Sequence, residues 1–196
     1  MDSETIFRLV TGIIFFTTLL VGGYFRRKAE KEGGQMRSNE GSGLVVVLRT
    51  LGLIVILPLF GYLINPQWVA WAQMPLPIWL RGSGAVTAAL MIPLIAWMFL
   101  SIGSNITATQ ATRQNHKLVT SGPYRWIRHP LYAFGFVFAC GITCLSALWW
   151  LGVGMIPPMI ILMLRTSIEE QRLIETFGDE YRNYMKRTGR FFPKFA

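Results

Sequence analysis

The sequence predicts an all-α integral membrane protein with about five membrane helices, two of them a hairpin in the C-terminal half, followed by a cytoplasmic amphipathic helix. Three observations lead there. Of 196 residues, 52% are hydrophobic and only 15% charged, where a soluble domain carries about 25% charged residues. The charges leave long uncharged runs, and about 20 helical residues cross roughly 30 Å of hydrocarbon. Between the runs, basic residues are abundant and scarce in turn, as the two sides of a membrane require.

The first run, 9–25, lies between Arg8 and Arg26. No small-residue cleavage site follows it, so it is expected to be a span and not a signal peptide. The linker RRKAEKEGGQMRSNEGSG (26–43) carries five Lys/Arg and is placed in the cytoplasm, which puts the N-terminus outside. The second run, 50–80, ends in INPQWVAWAQMPLPIW (64–79), a stretch without charge whose Trp residues suit the external interface. The third, 82–112, returns the chain to a basic segment with Arg113, Lys117, Arg125 and Arg128.

The last apolar run, 130–164, has 35 residues, too long for one span and short of the roughly 40 that two would take. Both flanks are basic, with seven Lys/Arg from 165 onward, so the run enters and returns. A tight hairpin is expected, turning near residues 145–148. Gly141, Ser146, Gly152, Gly154 and the pair Pro157 and Pro158 offer breaks, and Pro157 is expected to kink the returning helix. The net charge of +9 follows from this topology and from contact with anionic lipid, and no basic groove with stacked aromatics points to nucleic acid. The chain divides at the third span into a two-helix region, 1–80, without a functional signal, and a core, 81–196.

A hairpin brings HKLVTSGPYRWIRHPLY (116–132) beside LRTSIEEQRLIETFGDEY (164–181). Arg165 and Glu169, spaced i,i+4, share a helical face. Leu173, Ile174, Phe177 and Tyr181 recur at helical spacing, with Gly178 as an interruption. Each piece has a plainer reading. Arg125 and Arg128 suit interfacial anchors that snorkel to phosphates, and Arg165 with Glu169 suits a solvated pair. His116 and His129 lack the neighbours of a metal site, so none is expected. Cys140 and Cys144 are expected to pack, having no activating cation nearby.

The combination is more specific. LVTSGPYRWIRHPLY, an apolar stretch, then RTSIEEQRLIETFGDEYRNY resembles the isoprenylcysteine carboxyl methyltransferase family and its wider relatives, the membrane phospholipid methyltransferases, across 105–193. The resemblance implies a membrane enzyme without a Rossmann sheet that uses S-adenosyl-L-methionine and releases S-adenosyl-L-homocysteine. It implies a cofactor segment of His116, Lys117, Leu118, Val119, Tyr124, His129, Pro130, Leu131 and Tyr132, with Gln110 a weaker carry-over. The motif Arg and Glu match Arg165 and Glu169, the expected catalytic pair. Backbone donors near Gly122 and Tyr124 suit the cofactor's polar end, with Pro130 limiting the helix start so that they stay available. Glu169 is expected to complement the cofactor's amino group or sulfonium, or to fix Arg165.

The residue types fit methyl transfer, which needs alignment and exclusion of water more than acid–base chemistry. An acceptor carboxylate is already ionised and needs a cation to hold it; the planar guanidinium of Arg165 matches its two oxygens. The expected reaction is therefore carboxyl O-methylation of a C-terminal S-isoprenylcysteine or similar lipid-linked acid. The alternative is N-methylation of a phosphatidylethanolamine-type lipid, whose protonated amine needs Glu169 or Glu170 as base. A scaffold or transporter would place polar residues inside the spans, and there are few. A lipid-linked acceptor is expected to enter sideways from the bilayer, between the third span and the hairpin, because leaving lipid costs about 0.8 kcal/mol per CH2. The cofactor comes from the cytosol. Gly12, Gly22 and Gly23 suit packing within the chain or against a partner alike, so oligomeric state is left open. An odd number of passes separates the termini: accessibility tags at the two ends should report opposite sides of the membrane, and tags on one side would overturn this topology.

Overall fold

The structure, a computed structural model, describes residues 2–32, 36–37, 42–103, 112–113 and 118–194. It is almost wholly helical: α1 (Ser3–Glu32), α2 (Ser42–Ile64), α3 (Ile78–Ile102), α4 (Pro130–Ser146), α5 (Trp149–Gly154), α6 (Ile156–Phe177) and α7 (Asp179–Arg187). Short 3-10 segments cover Pro66–Ala72 and Gly122–Arg125, and two-residue strands β1 (Met36–Arg37) and β2 (Thr112–Arg113) pair antiparallel. Four stretches are long and apolar enough to cross a membrane, in α1, in α2, in α3 and through α5 into α6; α4, with 17 residues, is a shorter fifth pass.

The hairpin turns where its length and small residues required. Helix α4 ends at Ser146, Ala147 takes a left-handed conformation with φ of 54°, and Leu148 caps α5. The expected kink at Pro157 takes the form of an interruption at Met155, after which α6 begins with Pro157 in its first turn. There the missing N–H of proline costs nothing, because first-turn donors have no partner in the helix.

Helices α3 and α4 pack backbone to backbone. A Cβ built on Gly84 would sit 2.7 Å from the Gly141 carbonyl oxygen and the Leu145 nitrogen, and one on Gly141 would sit 2.9 Å from the Ala88 nitrogen. Small residues make this approach available where lipid offers no hydrophobic drive between helices. Cys144 packs in this seam beside Gly84, whereas Cys140 faces outward. Leu59, Tyr62, Ala72, Ala88, Leu145 and Leu148 form the sealed centre of the core.

The connections sort to two ends. At one, the Trp-rich loop meets the hairpin tip: the Met74 N–H donates to the Ala147 carbonyl at 2.9 Å, the Trp149 indole donates to the Trp71 carbonyl at 3.2 Å, and Trp71, Trp149 and Trp150 stack edge to face. At the other, β1 and β2 join the two basic linkers, and Phe25 stacks on Phe99. This segregation is the one the charge pattern demands.

The loop end also holds a polar knot among four helices. Arg81 is nearly buried; its Nε donates to the Leu145 carbonyl at 3.0 Å, and its Nη atoms donate to both oxygens of Glu4 and to the Tyr62 hydroxyl. That hydroxyl in turn donates to Glu4 Oε1 at 2.7 Å, and the Phe7 ring lies 4.1 Å from the guanidinium carbon. A charge that marks a span boundary in the sequence thus ties α1, α2 and α3 to the end of α4. Removing Arg81 strands Glu4, Tyr62 and the Leu145 carbonyl. Because the Glu4 side chain is 38% exposed, Arg81→Met should cost on the order of 2–3 kcal/mol, below the value for a fully buried pair. Thermal unfolding in detergent checks this, and Glu4→Gln added to Arg81→Met should cost little more.

Candidate functional site

At the opposite end, the hairpin legs close on the segment that leads into α4. The chain enters through Leu118 and Val119, both half-buried, and turns at Gly122, whose φ is +60°. A Cβ there would meet Ser101 Oγ at 2.0 Å, so the position needs glycine for both conformation and space. Gly122–Arg125 is then wedged against the end of α3, with Trp126 edge-on to Trp97. From the other side the Tyr184 hydroxyl of α7 donates to the Tyr124 carbonyl at 2.6 Å. Burial pushes the Tyr124 phenol above its ordinary range, so it stays a hydrogen donor.

After α7 the chain doubles back as a strap along this segment. The Gly189 N–H donates to the Trp126 carbonyl at 3.0 Å, the Arg128 N–H to the Gly189 carbonyl at 2.9 Å, and the His129 N–H to the Arg190 carbonyl at 3.0 Å. The Arg128 and His129 N–H groups, just before Pro130, are therefore spent on the strap. Pro130 itself sits in the first turn of α4, with His129 as its N-cap.

Two adjacent glutamates of α6 meet this segment in different ways. Glu170 is 3% exposed, and its oxygens are bonded to Arg128 Nε at 2.7 Å, to Arg190 Nη2, and to His129 Nε2 at 3.3 Å. Arg128 also donates to the Thr188 and Met185 carbonyls. Glu169 keeps 31% of its side chain exposed; its Oε2 lies 3.4 Å from the donating Tyr132 hydroxyl and 3.7 Å from His129 Nδ1. The His129 and Tyr132 rings stack at 5.6 Å with 6° between planes, and Phe191 tilts onto His129. One carboxylate is saturated by cations, and the other offers an accessible acceptor beside two aromatic faces.

Arg165, half-buried, stands one turn before Glu169 on the same face of α6, about 6 Å along the axis toward its apolar half. Leu131 is exposed at the start of α4, and Pro130 is buried. Gln110, His116 and Lys117 lie outside the described residues. Of the two arginines read as possible anchors, Arg125 is exposed and reaches over Trp126 at 5.9 Å, whereas Arg128 is a buried ion-pair partner. The expected break at Gly178 is present, with φ of 57° between α6 and α7. Sequence reasoning missed Thr188, Gly189 and Arg190; the signal was a Gly-Arg pair directly after an amphipathic helix, ahead of Phe191, Phe192 and Pro193.

These features define a helical membrane protein with an aromatic and acidic side-chain cluster where its C-terminal hairpin leaves the apolar region. The family model described as phospholipid methyltransferase matches residues 79–180, from the start of α3 to the start of α7, and the chain belongs to that family. Among similar proteins, the mouse (Mus musculus) protein-S-isoprenylcysteine O-methyltransferase is 30% identical over 138 residues, covering 64% of this chain and 45% of the mouse protein. A methanethiol S-methyltransferase of Pseudomonas deceptionensis is 37% identical over 70 residues, 36% of this chain and 26% of that protein. The chain thus spans less than half the length of these curated relatives. Its fold matches a solved eukaryotic intramembrane Ras methyltransferase (isoprenylcysteine carboxyl methyltransferase) with a TM-score of 0.53 at 22% identity, over 79% of this chain and 53% of that one.

The turn at Gly122 sets where the pocket segment meets α3. Gly122→Ala adds a left-handed penalty of about 1–2 kcal/mol to the clash with Ser101. A fall in thermal stability of at least that size is expected, and an unchanged melting curve would show that the turn tolerates a Cβ.

Proposed function

We propose that this chain is an S-adenosyl-L-methionine-dependent membrane methyltransferase that esterifies a lipid-linked carboxylate, of the C-terminal S-isoprenylcysteine type. The observation that carries this reading is the division between the two glutamates, with Glu169 accessible beside Tyr132 and His129 and Arg165 one turn nearer the apolar region. Family membership and the resemblance to isoprenylcysteine methyltransferases support it.

The residues present fit the cofactor. A carboxylate that keeps 31% of its side chain exposed suits a cationic ligand, and the Tyr132 ring, backed by the buried His129 imidazole, gives an adenosine-sized group a flat, partly apolar edge. When bound, S-adenosyl-L-methionine supplies an electrophilic methyl group on a cationic sulfonium. Glu169 holds the cationic end of the ligand, and Tyr132 and His129 fix the carboxylate's orientation. Leu118, Val119, Gly122 and Tyr124 line the approach, with Gln110, His116 and Lys117 of the same segment as further contacts. Arg165 pairs with the acceptor carboxylate, its fork matching two oxygens as no ammonium does. Bound ligands displace water from these positions, which strengthens both charge contacts.

In this reading residues 81–196 form the methyltransferase core and 1–80 brace it. The basic end faces the cytosol, with the C-terminus there and the N-terminus outside. The acceptor reaches Arg165 sideways from lipid between α3 and the hairpin, and the cofactor arrives from water. Prenylated acceptors and membrane lipids are the partners.

Stabilisation against heat by S-adenosyl-L-homocysteine tests the enzyme reading against a scaffold. Transfer of labelled methyl to a farnesyl-cysteine analogue or to phosphatidylethanolamine then decides the acceptor. Arg165→Lys should lower the rate toward the carboxylate about a hundredfold or more while cofactor affinity changes little, because a buried charge contact is worth several kcal/mol. Glu169→Gln should weaken cofactor binding without adding a pH dependence. A near-normal Arg165→Lys enzyme, or a wild-type rate that rises with pH through a group Glu169→Gln lacks, would overturn the carboxylate reading in favour of the amine.

A further inference from the structure

We propose that the C-terminal strap, residues 189–192, is a positioning element of the site, with Arg190 acting through Glu170 to hold His129 and Tyr132 against Glu169. The inference rests on the functional reading above for what the pocket binds, but its geometry stands independently.

Helix α7 does not need the strap to dock. Tyr181 and Tyr184 are buried, and the Tyr184 hydroxyl already finds its partner on the Tyr124 carbonyl. The strap's own bonds go elsewhere. Its backbone pairs with Trp126, Arg128 and His129, and its one guanidinium goes to Glu170. Every one of these partners belongs to the segment that carries the pocket's rings or to the carboxylate behind them.

The chain of contact is short. Arg190 meets Glu170 Oε2, while Oε1 is shared by Arg128 Nε and His129 Nε2. A carboxylate clamped at both oxygens cannot rotate, so the imidazole bonded to it keeps its ring plane. With Nε2 held from behind, Nδ1 faces Glu169, and the parallel Tyr132 ring places its hydroxyl on the same oxygen. Phe191, next to Arg190, tilts onto the imidazole with ring centroids 5.8 Å apart. Gly189 is what lets the strap curl: a Cβ there would lie 1.7 Å from the Phe192 carbonyl oxygen. Without Arg190, Oε2 loses its cation and Glu170 gains a rotation that carries His129 away from Glu169, with helix packing unchanged.

Arg190 is thus a positioning residue, and its loss should show at the cofactor and not at the acceptor. The full chain in nanodiscs is compared as wild type, Arg190→Ala, Arg190→Lys and the control Arg182→Ala, whose side chain is exposed on α7 and pairs with Asp179. Arg190→Ala should weaken S-adenosyl-L-homocysteine binding by calorimetry about tenfold and leave the acceptor KM within about twofold. Arg190→Lys should recover most of the affinity, and Arg182→Ala should match wild type. Hydrogen exchange should show faster exchange at the Arg128 and His129 amides in Arg190→Ala, with α6 and α7 as protected as before. Unchanged cofactor affinity, an acceptor KM that rises in parallel, or protection lost throughout α7 would each overturn the proposal. If wild type binds no S-adenosyl-L-homocysteine, the functional reading fails first. The exchange data then decide the coupling alone: a local loss at Arg128 and His129 upholds it, and unchanged protection ends it.

Discussion

Glu170 is a carboxylate almost sealed from water in the polar half of α6, and such a charge must find its countercharges within the protein or become neutral. Arg128 and Arg190 supply them from positions 42 and 20 residues away in sequence. That requirement accounts for much of the local architecture. Arg128 cannot reach Glu170 unless α4 starts beside α6, which the hairpin ensures. Arg190 cannot reach it unless the chain reverses after α7, which Gly189 permits. The rings of the pocket inherit their places from these two demands.

The loop end obeys the same rule with different residues. Arg81 begins α3 close to the apolar region, and its donors are consumed by Glu4, Tyr62 and the Leu145 carbonyl. Lipid cannot satisfy polar groups, so they are met by neighbouring helices. Between the two polar ends lies a seam made of what is missing: Gly84 and Gly141 let α3 and α4 touch at the backbone. Polar knots at both ends and close packing between them make α3 and α4 the fixed frame, to which α1 and α2 are tied at one end and α6 and α7 at the other.

Much of this was legible in the sequence because membranes impose one-dimensional rules. Span lengths and the alternation of basic linkers place the helices, and the length of 130–164 sets the hairpin turn to within the residues where Ala147 adopts its left-handed conformation. The pairing of the two motif blocks follows once a hairpin is drawn. What the sequence hides is the direction of individual side chains. Arg125 and Arg128 read alike as interfacial anchors, yet one is exposed over Trp126 and the other is buried on Glu170. Glu4, Tyr62 and Arg81 carry no local pattern, since their meeting depends on three helices arriving at one point. The strap was invisible for the same reason: its backbone pairs with Trp126, Arg128 and His129, and no periodicity spans that distance.

The neighbouring glutamates show how packing assigns chemistry to identical residues. Consecutive positions on a helix point about 100° apart, so when α6 lies against the 126–129 segment and its strap, one carboxylate faces into the arginines and the other faces past the imidazole. Had Arg190 been absent, Glu170 would carry only Arg128 and His129, and the two side chains would compete for one imidazole between them. The second guanidinium resolves the competition: it satisfies Glu170 from behind, so His129 can hold Nε2 to one carboxylate while presenting Nδ1 to the other. The accessible carboxylate is therefore selected by a residue that lies outside both motif blocks and follows Glu170 by 20 positions.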